Sequence, residues 1–539
     1  MSIAIATLAP MEPQGFESAR PDVPGYDVPG YDAPEQDESA KKEMSTDTIA
    51  SGLSFMLIAN VLQRGIGFLR NIAFCHFLSE NDLGLWALAS GFFILAAPLS
   101  VLGLPGSLGR FTEFYRTRNQ LVSYLGWMIM GSSAGLLAFS VGMVLVPSWS
   151  AVIIFDNEES FATVAMLTAT LSLVVGFNFL TELLSGLRQN RIVSGMQMVN
   201  SISFTIMSVS WLLLFRDWRG VLLSFAIASF LGAIPGLIGL RTKCAVAFTN
   251  QEPMNTRGMW SRVLPFAASI WLMNLLGNLF DVVDRYMLLH LANTEVLSAT
   301  AIVGQYHSGR ILPVLITSLA AMLNGMILPH LSADWEAGQR NAVKDRIRST
   351  MKLMTLFFWA LSIGGMVVSP FVFQTLLDGR YADGLSIMPL GLIHCTYAAL
   401  AAFLHNYFWC EEKGGLVTKL IACGLALNIA LNFVMVPTWC VYGAMLATFL
   451  AGVAILGMTI AIMSRHGCWV GPQALILSLL PITLVLSTAL SMVVFTVVIL
   501  VISRTDLLLN ASEKEAISVH LRPMLRRIGL ATDGRCFWR

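Results

Sequence analysis

The chain has 539 residues, of which 55% are hydrophobic and only 12% charged, with a mean hydropathy of +0.68. A water-soluble domain cannot bury that share of apolar surface, so a bilayer is the solvent for most of the chain. The net charge of +1 leaves no electrostatic footprint for nucleic acid, and eight scattered cysteines without Cys-x-x-Cys spacing argue against a disulfide framework or a metal site.

Residues 1–50 hold ten acidic side chains against three basic ones and repeat Asp-Val-Pro-Gly-Tyr in tandem at 22–26 and 27–31. This composition predicts a disordered acidic tail on the cytoplasmic side, with the tyrosines as alternative docking or modification sites. No basic stretch precedes an apolar core and a cleavage site, so it is not a signal peptide; Met44 is an alternative start.

Twelve apolar runs follow. Six lie near 51–74, 83–103, 121–146, 161–183, 195–215 and 220–240, an N-terminal lobe over residues 51–240. After a polar linker at 241–262, six more lie near 263–289, 301–328, 353–377, 384–410, 416–436 and 442–463, a C-terminal lobe over 263–463. At ~1.5 Å per residue, runs of about 20 residues cross a ~30 Å hydrocarbon layer. The loops alternate in charge: one set carries 17 Lys and Arg, the other three, which predicts a cytoplasmic N-terminus. A last apolar stretch, 472–503, is long for one helix and short for two. A single crossing would export the 504–539 tail with Arg504, Lys514, Arg522, Arg526 and Arg527, so a tight hairpin and 14 helices are expected rather than 13. The expected fold class is an all-α polytopic membrane protein: two six-helix lobes related by a pseudo-two-fold axis along the membrane normal, plus one or two C-terminal transmembrane helices.

The lobes echo each other in their first helices. Asn60, Arg64, Gly67 and Asn71 match Asn274, Asn278, Asp281 and Arg285 at a constant offset of 214 residues, and the same offset pairs Arg70 with Asp284. The i, i+4, i+7, i+11 spacing confines each set to one polar stripe. Gly84-Leu85-Trp86 and Gly304-Gln305-Tyr306 continue the echo, as do Asn200 and Asn428. An arginine at mid-bilayer costs about 2.5–3.5 kcal/mol, so Arg64 must face protein or water. Arg64, Arg70, Arg285 and Arg310 are candidates for gripping phosphate, because a guanidinium donates two parallel hydrogen bonds to its oxygens. Asn60, Asn71, Asn274, Asn278 and His307 are candidate polar cavity residues; Asp281, Asp284 and Glu182 are candidates for an interlobe gate or for coupling to a proton or sodium ion. An alternative has Arg64 and Arg70 pairing with Asp281 and Asp284 as glue between the lobes, and Glu182 serving only at the membrane interface. No phosphate-binding Gly-x-x-x-x-Gly-Lys-Ser/Thr loop and no His-Glu-x-x-His occurs, and the longest outer loop, 147–160, is short, so an enzyme is not expected, nor any metal or cofactor.

The runs LRNIAFCHFLSENDLGLWAL (69–88), DVVDRYML (281–288), GQYHSGRILP (304–313), LLDGRYADG (376–384) and NIALNFVMVPTWCVYGAMLAT (428–448) together resemble the polysaccharide transport family of O-antigen-type flippases. That family sits in the multidrug, oligosaccharidyl-lipid and polysaccharide exporter superfamily. The resemblance implies a bacterial inner-membrane flippase that moves an undecaprenyl pyrophosphate-linked oligosaccharide outward by alternating access, for cell-surface polysaccharide such as the O-antigen of lipopolysaccharide. The implied partners are the lipid-linked oligosaccharide, membrane lipid, and a polysaccharide polymerase and glycosyltransferases. Arg64 and Arg70 also resemble the first-helix arginine pair of lipid II flippases. The alternatives are a multidrug antiporter of the same fold, which would want buried acids for a cationic drug, and lipid II as the substrate.

Overall fold

The computed structural model describes residues 49–156, 160–243, 252–293, 297–511 and 513–515. The acidic tail with its tandem repeat and Met44, and the tail arginines Arg522, Arg526 and Arg527, lie outside the described residues. Among those described, every regular element is helical. The first half comprises α1 (Ile49–Phe77), α2 (Glu80–Ser100), α3 (Leu108–Arg116), α4 (Leu121–Leu145), α5 (Pro147–Phe155), α6 (Phe161–Gly186), α7 (Asn190–Leu214) and α8 (Trp218–Lys243). The second comprises α9 (Thr256–Leu291), α10 (Ala299–Gly309), α11 (Pro313–Glu336), α12 (Arg340–Phe371), α13 (Ala382–Ser386), α14 (Met388–Cys410) and α15 (Gly414–Arg465). The chain ends in α16 (Pro472–Leu479), α17 (Thr483–Leu486) and α18 (Thr488–Arg504). Ten helices among the described residues are long and apolar enough to cross a membrane.

Local chemistry sets the helix ends. Ser79 and Ser298 sit just before α2 and α10, and each hydroxyl accepts a backbone N–H three residues on, from Asp82 and Ala301. Within α15 the 52-residue helical run folds over at Cys440 (φ 49°), after Pro437 has removed a backbone donor, which separates the two expected crossings. The expected single run at 301–328 is broken: α10 stops at Gly309, Arg310–Leu312 form a turn, and Pro313 opens α11 at the position where its missing N–H costs nothing. Likewise α2 ends in a left-handed turn at Leu102 and Gly103, whose missing side chain admits Trp271.

The 36-residue α9 belongs to both halves. Met259, Val263 and Ala267 near its start pack with Leu108, Tyr115 and Leu184 of the first half, while Val283 and Met287 pack on Leu425 of α15.

The terminal stretch folds back on itself. Its legs, Pro472–Leu486 and Thr488–Arg504, meet at the extended residue Ser487. At ~1.5 Å per residue neither exceeds about 26 Å. Trp359 Nε1 donates to Ser491 Oγ (2.8 Å) near the bend. At the other end Lys352 Nζ donates to Gln473 Oε1 (3.0 Å) and to both Glu513 oxygens (3.1 Å each), so the stretch starts and finishes at one face. That face carries the Lys- and Arg-rich loops and is called the basic face below. Burial alone would raise the Glu513 pKa, but the Ser349 hydroxyl, the Asn510 N–H and the Lys352 ammonium outweigh it and hold the carboxyl below its ordinary range.

Candidate functional site

A cavity of about 150 Å³ lies between the halves, with α1 and α7 on one side and α9, α10 and α11 on the other. Arg64, Arg70, Arg285, Arg310 and His307 line it together with Asn60 and Asn71, and no acidic residue does so among the described residues. Each arginine except Arg64 is held from behind. The Arg70 guanidinium lies 4.3 Å from the Phe204 ring centre and donates to Thr205 Oγ1 (3.2 Å) and the Ser201 carbonyl (3.5 Å), all on α7. Arg285 Nη1 donates to the Ala87 carbonyl (3.0 Å) and Ser90 Oγ (3.5 Å), beside Gly91, where a Cβ would stand 3.4 Å from that nitrogen. Arg310 Nη1 donates to the Asp281 carbonyl (2.8 Å), with its other terminal nitrogen 3.8 Å from Asp281 Oδ1.

Much of this donor capacity is unspent. The Nε atoms of Arg64, Arg70 and Arg285 have no partner, and neither ring nitrogen of His307 has one, although that side chain is only 6% exposed. Buried polar atoms without partners cost about 1–3 kcal/mol each. Four guanidinium groups and an imidazole around one small volume can receive an anion rich in oxygen.

The sequence stripes reach the cavity only in part. The α1 stripe does, through Asn60, Arg64, Gly67 and Asn71. On α9 only Arg285 does: Asn278 Nδ2 donates to the Ile94 carbonyl of α2 (3.1 Å), and Asn274 is half-buried away from the cavity. Glu182 is half-buried at the basic-face end of α6 and also stands apart from it. The Arg70–Asp284 pair of the alternative reading does not form in this structure. Arg70 spends its bonds on α7, and Asp284 is fully buried within the second half. Nor does Arg64 pair with Asp281, whose partner is Arg310. Sequence reasoning overlooked Gln63, Gln197, Ser201 and Ser318 in the lining; Gln197, Asn200 and Ser201 at i, i+3 and i+4 share one face of α7, a periodicity that could have found them.

Asp284 has its own nest. Its Oδ1 accepts from Asn428 (3.1 Å) and Asn432 (2.9 Å), and its Oδ2 accepts from the Tyr306 hydroxyl (2.5 Å) and the Thr448 hydroxyl. No cationic side chain bonds to it among the described residues, and Asn432 Oδ1 nearby has no partner.

Away from α9, the hydrogen bonds that join the halves gather at the face opposite the basic loops. Arg380 donates to the carbonyls of Cys75 (3.1 Å), His76 and Leu78 (3.3 Å), capping the exposed carbonyl end of α1. The Tyr381 hydroxyl also donates to Cys75 O (3.1 Å), and Gln305 Nε2 donates to both Glu80 Oε2 (3.0 Å) and Arg380 O (2.9 Å). These contacts shut the cavity off from that face.

The sequence matches the family described as polysaccharide biosynthesis protein over residues 49–334, more than half of the chain, and the chain belongs to that family. An uncharacterized membrane protein of Methanocaldococcus jannaschii is 20% identical over 416 residues, covering 74% of this chain and 80% of that protein. The uncharacterized membrane protein YabM of Bacillus subtilis is 21% identical over 432 residues, covering 76% and 79%. Among solved structures, the lipid II flippase MurJ in an inward closed conformation superposes with a TM-score of 0.63 at 12% identity, over 82% of this chain and 98% of that one. An inward-facing multidrug resistance MATE family transporter of the MOP superfamily gives 0.62 at 14% identity, over 77% and 99%. The chain therefore shares the fold of these two structures.

Proposed function

We propose that this member of the polysaccharide biosynthesis protein family is a flippase that carries a polyprenyl pyrophosphate-linked oligosaccharide across the bacterial inner membrane, from the basic, cytoplasmic face outward. The observation that carries the reading is the interlobe cavity lined by four arginines and, among the described residues, by no acid. A pyrophosphate is a dense cluster of acceptor oxygens, and partly desolvated guanidinium donors recognise such a group best. A cationic drug would be repelled by the same lining, which counts against a multidrug antiporter. The likeness to MurJ supports lipid II as a second reading, since it too is a polyprenyl pyrophosphate carrying sugars.

Energy would enter at Asp284. Among the described residues its buried carboxylate is bonded by amides and hydroxyls and by no cationic side chain, which leaves its charge free to take up a coupling ion. Its Tyr306 partner is followed on α10 by His307 in the cavity wall and preceded by Gln305 in the outer contacts. This neighbourhood on α10 offers a route by which occupation at Asp284 could act on cargo and closure.

The test is leaflet translocation of fluorescent polyprenyl pyrophosphate oligosaccharide in vesicles holding the purified protein, beside lipid II and a cationic dye. Faster movement of the oligosaccharide lipid than of lipid II is expected. Preference for lipid II would move the assignment to that substrate, and dye export under a proton gradient without lipid movement would overturn it.

A further inference from the structure

Resting on the flippase reading, we infer that the N-terminal half of the cavity wall is a separate sugar subsite, built by α1 and α7, that reads neutral hydroxyl- or acetamide-bearing sugars next to the pyrophosphate. The two walls differ in chemistry. On the first half, Asn60, Gln63, Gln197 and Asn200 present four amides, while the facing stretch of α11 presents Val314, Leu315 and one hydroxyl, Ser318. Amides that merely hold helices together use up their hydrogen bonds, as Asn278 and Asn428 do elsewhere in this chain. Here they do not. Gln63 Nε2 makes one long bond to the Gln197 carbonyl (3.4 Å), and the side chains of Asn60, Gln197 and Asn200 bond to no other described residue.

The backbone also supports this face. Gly232 of α8 lies directly behind Asn200, where a Cβ would stand 2.7 Å from that of the asparagine, so α8 presses α7 toward the cavity. On α7 the amide row continues into Ser201 and Thr205, which hold Arg70. The amides of α7 therefore lie nearer the basic face than the residues that hold Arg70, Gln197 by about 6–12 Å and Asn200 by about 1.5–7.5 Å at ~1.5 Å per residue, a span on the scale of one or two sugar rings. Each amide offers both a donor and an acceptor, which matches hydroxyl and acetamide groups and supplies no counter-charge for a charged sugar.

The experiment compares two fluorescent lipids in vesicles, bare polyprenyl pyrophosphate and the same lipid bearing a neutral oligosaccharide, with wild type and the Gln197→Leu/Asn200→Leu double variant. Two lost hydrogen bonds predict about a tenfold fall in the rate ratio of sugar-bearing to bare lipid, with bare-lipid movement kept. An equal fall for both lipids, or no change in the ratio, overturns the subsite. Affinity for the soluble oligosaccharide pyrophosphate is measured in parallel by calorimetry, against pyrophosphate alone. If wild type moves neither lipid, the flippase reading fails; the subsite then stands only if the variant loses the sugar-dependent part of that affinity, and otherwise falls with it.

Discussion

Gly84 of α2 and Gly304 of α10 fill each other's side-chain space: a Cβ on Gly84 would overlap the Thr300 carbonyl, and one on Gly304 would overlap the Glu80 carbonyl. The contact is reciprocal, because the residue four before each glycine meets the other glycine. It brings two helix backbones as close as small residues permit. With the Arg380 cap it forms the closed side of the cavity.

Gly84→Val should therefore favour conformations open at that face. Overpacking costs about 1–3 kcal/mol, a shift of roughly 5- to 150-fold in population. Cys75 is a free, fully buried thiol at this contact, so its labelling by an impermeant maleimide reads out the opening. Arg380→Ala should raise labelling as well, and Arg380→Lys should restore little, because a point charge cannot span three carbonyls. Unchanged labelling in both would mean that this face is held elsewhere.

Arg64→Ala should slow lipid translocation about 10- to 150-fold, the loss of charge-assisted hydrogen bonds to phosphate worth about 1.5–3 kcal/mol. Abundance and Tm should stay as in wild type, since Arg64 bonds to no other described residue. Arg70→Ala should lose both transport and several degrees of Tm through its Phe204 and Thr205 contacts. Exchanging the charges of Arg70 and Asp284 should rescue nothing; rescue would place the two in contact in another conformation.

Asp284→Asn should leave a folded protein whose residual transport no longer depends on sodium concentration or pH. Tyr306→Phe removes one of four hydrogen bonds to the carboxylate and should weaken the ion dependence without abolishing it. Flux measured across sodium and proton gradients checks both. Full ion dependence in Asp284→Asn would remove this residue from the coupling.

Docking of the chain end through Glu513 should be pH-dependent. Its carboxyl is held below the ordinary value of 4.5, so the unfolded tail binds a proton more readily than the docked one. The stabilisation is complete above that value and is lost as the pH falls through the lowered folded value. Hydrogen exchange at residues 505–515 should rise over that acidic window in wild type and already be fast at neutral pH in Glu513→Gln.

The crossings were legible because twenty-residue apolar runs have no other stable home, and the α1 stripe was legible because arginine in hydrocarbon is costly. The α9 stripe misled. A polar stripe states that a helix face avoids lipid, yet an interlobe seam and an open cavity satisfy that demand equally, and Asn278 took the seam. The alternative of an Arg70–Asp284 pair drew on a matching offset, but an offset shared by two stretches of sequence fixes no contact between them. The true partners of Asp284 come from α10 and α15, and only the fold brings Asn428, Asn432 and Thr448 around a residue some 150 positions earlier. The break at Arg310 was hidden because its apolar flanks keep the hydropathy continuous while Pro313 restarts the helix.

The nest around Asp284 draws on α9, α10 and α15, the amide wall on α1 and α7, and no hydrogen bond joins the two sets. Groups with no shared partner respond to substitution independently. On the proposed reading, the choice of cargo and the choice of fuel are separately inheritable traits. A change of surface sugar then asks only for new side chains on two helices, and the half that runs on ions can be kept unchanged.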